Sequence, residues 1–179
     1  MKMEMKLILL GGNSKSNQKW IEKIENELKD SFDSTEIQYY AHWKNNSPMI
    51  DFDIELERLA KDKKQQYSIF AKSAGILLAL KGIKNKIISP EYCIFVGMPI
   101  NWARENNIDF DSLFENYSIR TVFIQKSEDP VFSSNELQIF LKQKKVKNYV
   151  FVKVKGNNHD YDDVDIKKIF KEHKLCTQS

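Results

Sequence analysis

The sequence predicts an α/β protein, a three-layer α/β/α sandwich around a mostly parallel sheet of five or six strands. Three observations carry that expectation. Short apolar runs of strand length alternate with amphipathic stretches of helix length from end to end, the order that builds parallel strands through right-handed crossovers. The 179 residues suit one domain, 1–179, with a sizeable core. No internal repeat, low-complexity tract or linker-like stretch interrupts the alternation.

Leu7 to Leu10 is the first strand, closed by Gly11-Gly12 and a polar turn, Asn13 to Asn17. Trp20, Ile21, Ile24 and Leu28 then recur at helical spacing with Lys and Glu between them. Glu36 to Tyr40 alternates as a strand does, and a long turn containing Pro48 follows. Ile54, Leu56, Leu59 and Ala60 predict the second helix. Tyr67 to Phe70 reads as a strand, and Ala74 to Leu80 starts a helix that is apolar all round and therefore buried. Strand Tyr92 to Val96 leads into a loop reaching Ser118, then strand Ile119 to Ile124. Helix Asn135 to Lys142 has Ser133 or Ser134 as its cap and Glu136 in its first turn. Strand Tyr149 to Val154 alternates, and a last helix runs from Val164 to His173.

Composition narrows the function classes. Apolar residues at 41% and charged residues at 30% give an ordinary globular balance rather than a disordered one. Lys and Arg total 28 against 25 acids, and their signs alternate. The runs Lys61 to Lys64 and Lys142 to Lys147 read as solvated edges, because a nucleic-acid stripe needs denser clustering with aromatic residues between. Cys93 sits in an apolar run and Cys176 in a polar tail, so neither a disulfide framework nor a zinc site is expected. No segment has the length of a membrane span, and the Leu7 to Leu10 run is too short for a secretory signal. The expected location is the cytoplasm, with no nucleic-acid or membrane partner. Oligomeric state stays open.

The segment carrying most chemistry is Tyr67 to Leu80, where Ser73 falls between a strand and a buried helix. A sharp strand-to-helix turn strains the backbone at its apex and crowds the positions two residues to either side. Ala71 and Gly75 are small enough to occupy them. Such a turn lifts the Ser73 hydroxyl above the sheet, at a helix N-terminus where backbone N–H groups favour developing negative charge. The plain alternative is a serine that caps the helix.

Ala71-Lys72-Ser73-Ala74-Gly75 resembles the nucleophile elbow of the α/β-hydrolase superfamily, Gly-x-Ser-x-Gly, with alanine for the first glycine. Chain order strengthens the likeness. That superfamily places its acid after a later strand and its histidine after the last. Here Glu128-Asp129-Pro130-Val131 follows one strand and resembles the acid turn. Gly156-Asn-Asn-His159 follows the final strand and resembles the histidine loop. The resemblance implies a compact, lidless serine hydrolase with Ser73 as nucleophile, His159 as base and Asp129 orienting the ring, and it implies no cofactor or metal. Glu128 could stand in for Asp129, and Asp160, Asp162 and Asp163 could merely surround a solvated His159. His42, in a loop, and His173, in the last helix, read as exposed bystanders. The superfamily's oxyanion donors imply Ala74, with Asn13 first and Gly12 second from the loop after strand one. The superfamily's usual His-Gly is Gly11-Gly12 here.

That loop fits neither the dinucleotide fingerprint nor a Walker A pattern, so phosphate binding ranks last. The stretch Gly97 to Ser118 is too short for a cap domain, and Met98 and Trp102 are its candidates for a small acyl pocket. The function this implies is carboxylesterase-like cleavage of a small-molecule acyl ester. The rival reading is a non-catalytic binding protein on the same scaffold.

Overall fold

The computed structural model describes residues 3–45, 47–61 and 66–173; Cys176 and most of the Lys61 to Lys64 run lie outside the described residues. Six strands form one sheet: β1 (Met3–Leu10), β2 (Phe32–Ile37), β3 (Tyr67–Lys72), β4 (Tyr92–Val96), β5 (Arg120–Lys126) and β6 (Tyr149–Val154). Their order is β2-β1-β3-β4-β5-β6, and every adjacent pair is parallel. All six strands therefore finish at the same edge. Parallel strands covered on both faces read as continuous apolar runs, and β3 and β4 are buried throughout.

The helices cover both faces. α1 (Ser16–Leu28) buries Trp20, Ile21, Ile24 and Leu28, the stripe its periodicity predicts, and packs against α7 (Ile166–Glu172). On the opposite face α3 (Phe52–Ala60) packs against α4 (Ala74–Lys84), which is buried almost all round as its composition requires. α6 (Ser134–Gln143) starts with a capping box, Ser133 Oγ accepting from Glu136 N while the Glu136 carboxylate accepts from Ser133 N. Phe140 of α6 meets the Phe110 ring at a tilt and the Phe114 ring edge-on. Cys93 is fully buried in β4, and burial pushes its thiol up to about 12.

The fold departs from the sequence expectation in several places. β1 starts early, at Met3 rather than Leu7. β2 begins at Phe32, four residues before the expected Glu36, because α1 passes through a single 3-10 turn straight into the strand and Phe32 is buried at its start. Tyr40, expected at the strand's end, lies beyond it, fully buried. The turn around Pro48 contains a short helix, α2 (His42–Asn45), and the Gly97 to Ser118 loop contains α5 (Ile100–Glu105) plus a 3-10 turn over Asp111–Phe114. Ile100, Ala103, Leu113 and Phe114 are buried, so this stretch is folded onto the core.

Candidate active site

Ser73 is the one residue between β3 and α4. Its backbone has φ 50° and ψ −118°, a strained conformation for a residue with a side chain. Although it occupies the cap position, its side chain makes no capping hydrogen bond. Ser73 Oγ lies 3.0 Å from His159 Nε2 instead. Gly75 explains how the turn fits: a Cβ there would stand 2.5 Å from the Leu10 carbonyl oxygen and 2.7 Å from that of Gly11. The first turn of α4 therefore rests against the backbone leaving β1.

His159 reaches Ser73 from the loop after β6. Its Nδ1 donates to Asp129, at 2.8 Å from Oδ2 and 3.0 Å from Oδ1. With a carboxylate on Nδ1, Nε2 is the nitrogen free to accept the Ser73 hydroxyl proton. Asp129 is buried, whereas Ser73 and His159 are partly exposed, so the Ser73–His159 pair is open to solvent and the carboxylate behind it is not. The carboxylate also accepts from Tyr161 OH at 2.8 Å, Gln125 Nε2 at 3.2 Å and Val131 N at 2.9 Å. Glu128 is exposed, and Asp163 is bound to Lys126 at 2.5 Å. Asp129 is the residue that meets the ring.

Three supports escaped the sequence reading. Tyr161 is fully buried; besides its bond to Asp129 it accepts from Lys126 N at 2.9 Å, and burial together with the Asp129 charge holds its hydroxyl well above the ordinary tyrosine range. Gln125 bridges three segments, donating to Asp129 and to the Phe132 carbonyl and accepting from Met98 N at 2.8 Å. Lys72, beside Ser73, is buried; its Nζ donates to the Asp160 carbonyl at 2.7 Å and stands 4.7 Å from the centre of the Trp20 ring. The only advance signal was position. Gln125 and Lys72 extend apolar strand runs by one or two residues, where a polar side chain must turn inward or end the strand.

The loop after β1 sits beside Ser73. Ala74 is the first residue of α4, so its N–H has no partner within the helix. The N–H groups of Gly12 and Asn13 have no acceptor among the described residues. Trp102 is partly exposed on α5, whereas Met98 has no exposed surface and is held in the core by Gln125. The expectation that His42 is an exposed bystander is corrected: it is only 7% exposed, and Nε2 donates to the Asn13 carbonyl at 2.6 Å. Among the described residues no group of three His, Cys, Asp or Glu could hold a metal ion. No helix among them is long and apolar enough to cross a membrane.

The sequence matches no family model and no curated protein. Solved structures do match. An uncharacterized protein from Bacillus cereus ATCC 10987 is 20% identical with a TM-score of 0.72, over 96% of this chain and 59% of that one. This chain thus spans about three-fifths of that protein's length. An N-formylmaleamic acid deformylase from Pseudomonas putida S16 is 9% identical with a TM-score of 0.67, covering 94% and 91% of the two chains. An α/β-hydrolase enzyme from a Medee basin deep-sea metagenome library is 12% identical with a TM-score of 0.60, covering 93% and 86%. The chain has the α/β-hydrolase fold. Within that fold the sheet edge carrying Ser73, Asp129 and His159 is the C-terminal one, where open α/β sheets gather their sites.

Proposed function

We propose that this protein is a serine hydrolase that cleaves small carboxylic esters through an acyl-enzyme on Ser73. The observation that carries this reading is the 3.0 Å approach of Ser73 Oγ to His159 Nε2, with Asp129 on the far side of the ring. As Oγ attacks the acyl carbon, Nε2 takes its proton and the carbonyl oxygen becomes an oxyanion. Ala74 N–H and Asn13 N–H receive that charge, with Gly12 N–H second to Asn13. Collapse breaks the bond to the alcohol, which leaves with the proton from His159. Water then attacks the acyl carbon while giving a proton to Nε2. Ser73 departs with that proton and the carboxylic acid is released. Asp129 keeps the ring in the productive tautomer and stabilises the imidazolium.

A non-catalytic role would be favoured by a ring nitrogen out of reach of the hydroxyl, and 3.0 Å argues against it. The test is labelling with a fluorophosphonate probe, mapping of the modified residue, and turnover of a short activated ester. N-formyl amides form a second panel, since one structural neighbour is a deformylase. Ser73→Ala abolishes labelling and lowers turnover on the order of 10⁴-fold. A Ser73→Ala protein as active as wild type ends the reading.

A further inference from the structure

We infer that Tyr40, His42 and Trp43 are positioning residues for the oxyanion donors, anchoring the Gly11 to Asn13 loop from a distant segment. The inference rests on the serine-hydrolase reading. Each of the three donates to a carbonyl of the loop after β1: Tyr40 OH to Gly11 O at 2.9 Å, His42 Nε2 to Asn13 O at 2.6 Å, and Trp43 Nε1 to Asn13 O at 3.1 Å. The same segment grips the Asn13 side chain from both ends. Asn13 Nδ2 donates to Pro48 O at 3.0 Å, and Ile50 N donates to Asn13 Oδ1 at 2.9 Å.

The cradle is packed in the interior. Tyr40, His42 and Trp43 are all buried, with ring centres 4.6 Å apart for Tyr40 and Trp43 and 5.7 Å apart for Tyr40 and His42. A Cβ on Gly11 would sit 2.9 Å from the Trp43 ring, so the aromatic wall touches the loop backbone. The His42 hydrogen bond ends on a carbonyl, so Nε2 carries the proton. Nδ1 is buried with no partner among the described residues. An imidazole kept with one nitrogen unpaired in the interior is held there for what the other nitrogen does.

The consequence is directional. Two loop carbonyls, those of Gly11 and Asn13, are turned into the cradle, while the N–H groups of Gly12 and Asn13, like the other N–H groups from Gly11 to Ser16, have no acceptor among the described residues. The contact of the Gly75 position with Leu10 O and Gly11 O brings this loop against the Ser73 turn. Preorganised donors stabilise a transition state only if they are fixed before charge develops, and the cradle fixes them.

The experiment compares wild type with His42→Leu, His42→Gln and Tyr40→Phe on a short activated ester, and measures the affinity of a trifluoromethyl ketone that forms a hemiketal with Ser73. His42→Leu is expected to lower kcat about tenfold or more while KM stays within about twofold, and to weaken the ketone by the same factor as kcat/KM. His42→Gln keeps an N–H donor and recovers most of the loss. Tyr40→Phe, which removes a single hydroxyl, lowers kcat and ketone affinity in parallel by a smaller factor. Folded His42→Leu and Tyr40→Phe proteins with wild-type kcat and ketone affinity overturn the inference. Should His42→Leu not fold, Tyr40→Phe decides by the same two readouts. A wild-type protein that neither turns over esters nor takes the probe instead sinks the serine-hydrolase reading, and this inference with it.

Discussion

At the scale of single residues, the approach of His159 to Ser73 depends on a residue that does no chemistry. Gly97, at the end of β4, has φ +67°, and a Cβ there would lie 2.8 Å from the Tyr161 ring and 3.0 Å from the His159 ring. Gly97→Ala therefore combines left-handed backbone strain with a collision against two side chains of the candidate site. The expected loss is about 2–3 kcal/mol of stability. Turnover per folded molecule should also fall, because the ring cannot yield without leaving the serine. Urea unfolding together with ester kinetics checks both, and an unchanged kcat in Gly97→Ala would show that the ring has room to spare. Ser73, Asp129 and His159 were legible in the sequence because each follows an apolar run and sits beside turn residues. Tyr161, Gln125 and Lys72 were not. Tyr161 lies between Asp160 and Asp162, Gln125 and Lys72 are polar residues at the ends of apolar runs, and a side chain's inward direction is set by the partner segment it meets. For Tyr161 that partner is Asp129, 32 positions away.

At the scale of elements, apolar runs located the central strands, since burial on both faces leaves few polar residues to blur them. β2 lies at the edge, with the middle of the strand largely exposed, so its alternation could be read several residues late. Helix ends were legible where a side chain makes them. The Ser133–Glu136 capping box starts α6 where the sequence places a cap, four residues after Asp129. That proximity raises the question of whether α6 also positions the acid. The hydrogen bonds answer it, because Asp129 is held by Gln125, Tyr161 and the Val131 N–H rather than by the helix. Ser133→Ala should accordingly cost about 1 kcal/mol of stability and leave kcat within about twofold. A large fall in kcat with little loss of stability would instead place α6 among the supports of the acid turn.

At the scale of the whole molecule, six parallel strands end at one edge, so the candidate site is assembled from segments lying between Asn13 and His159 and exists only while the sheet does. Lys72 ties that global stability to pH. Burial lowers its ammonium from the ordinary 10.5 to about 8, while Asp162, Asp160 and Asp129 act to raise it and Lys126 to lower it. Below pH 8 the lysine is charged in both the folded and unfolded chains. Between pH 8 and 10.5 the unfolded chain holds a proton that the folded chain has released, so stability at this residue rises with pH. Above pH 10 the buried tyrosines Tyr40, Tyr117 and Tyr161, whose hydroxyls are held above their ordinary value, act with the opposite sign, because the unfolded chain then loses protons that the folded one keeps. From pH 9 the buried Cys93 thiol, raised from 9.0 to about 12, already acts with that opposite sign, but equally in wild type and in Lys72→Met, so the difference between those two proteins across pH 8 to 10 isolates Lys72. Across that range wild type should gain about 2 kcal/mol relative to Lys72→Met, which cannot titrate there. Urea midpoints for the two proteins at pH 7, 8, 9 and 10 measure the difference directly. Curves that run parallel from pH 8 to 10 would mean that the ammonium stays charged in the folded state, stabilised by its bond to the Asp160 carbonyl and its place over the Trp20 ring.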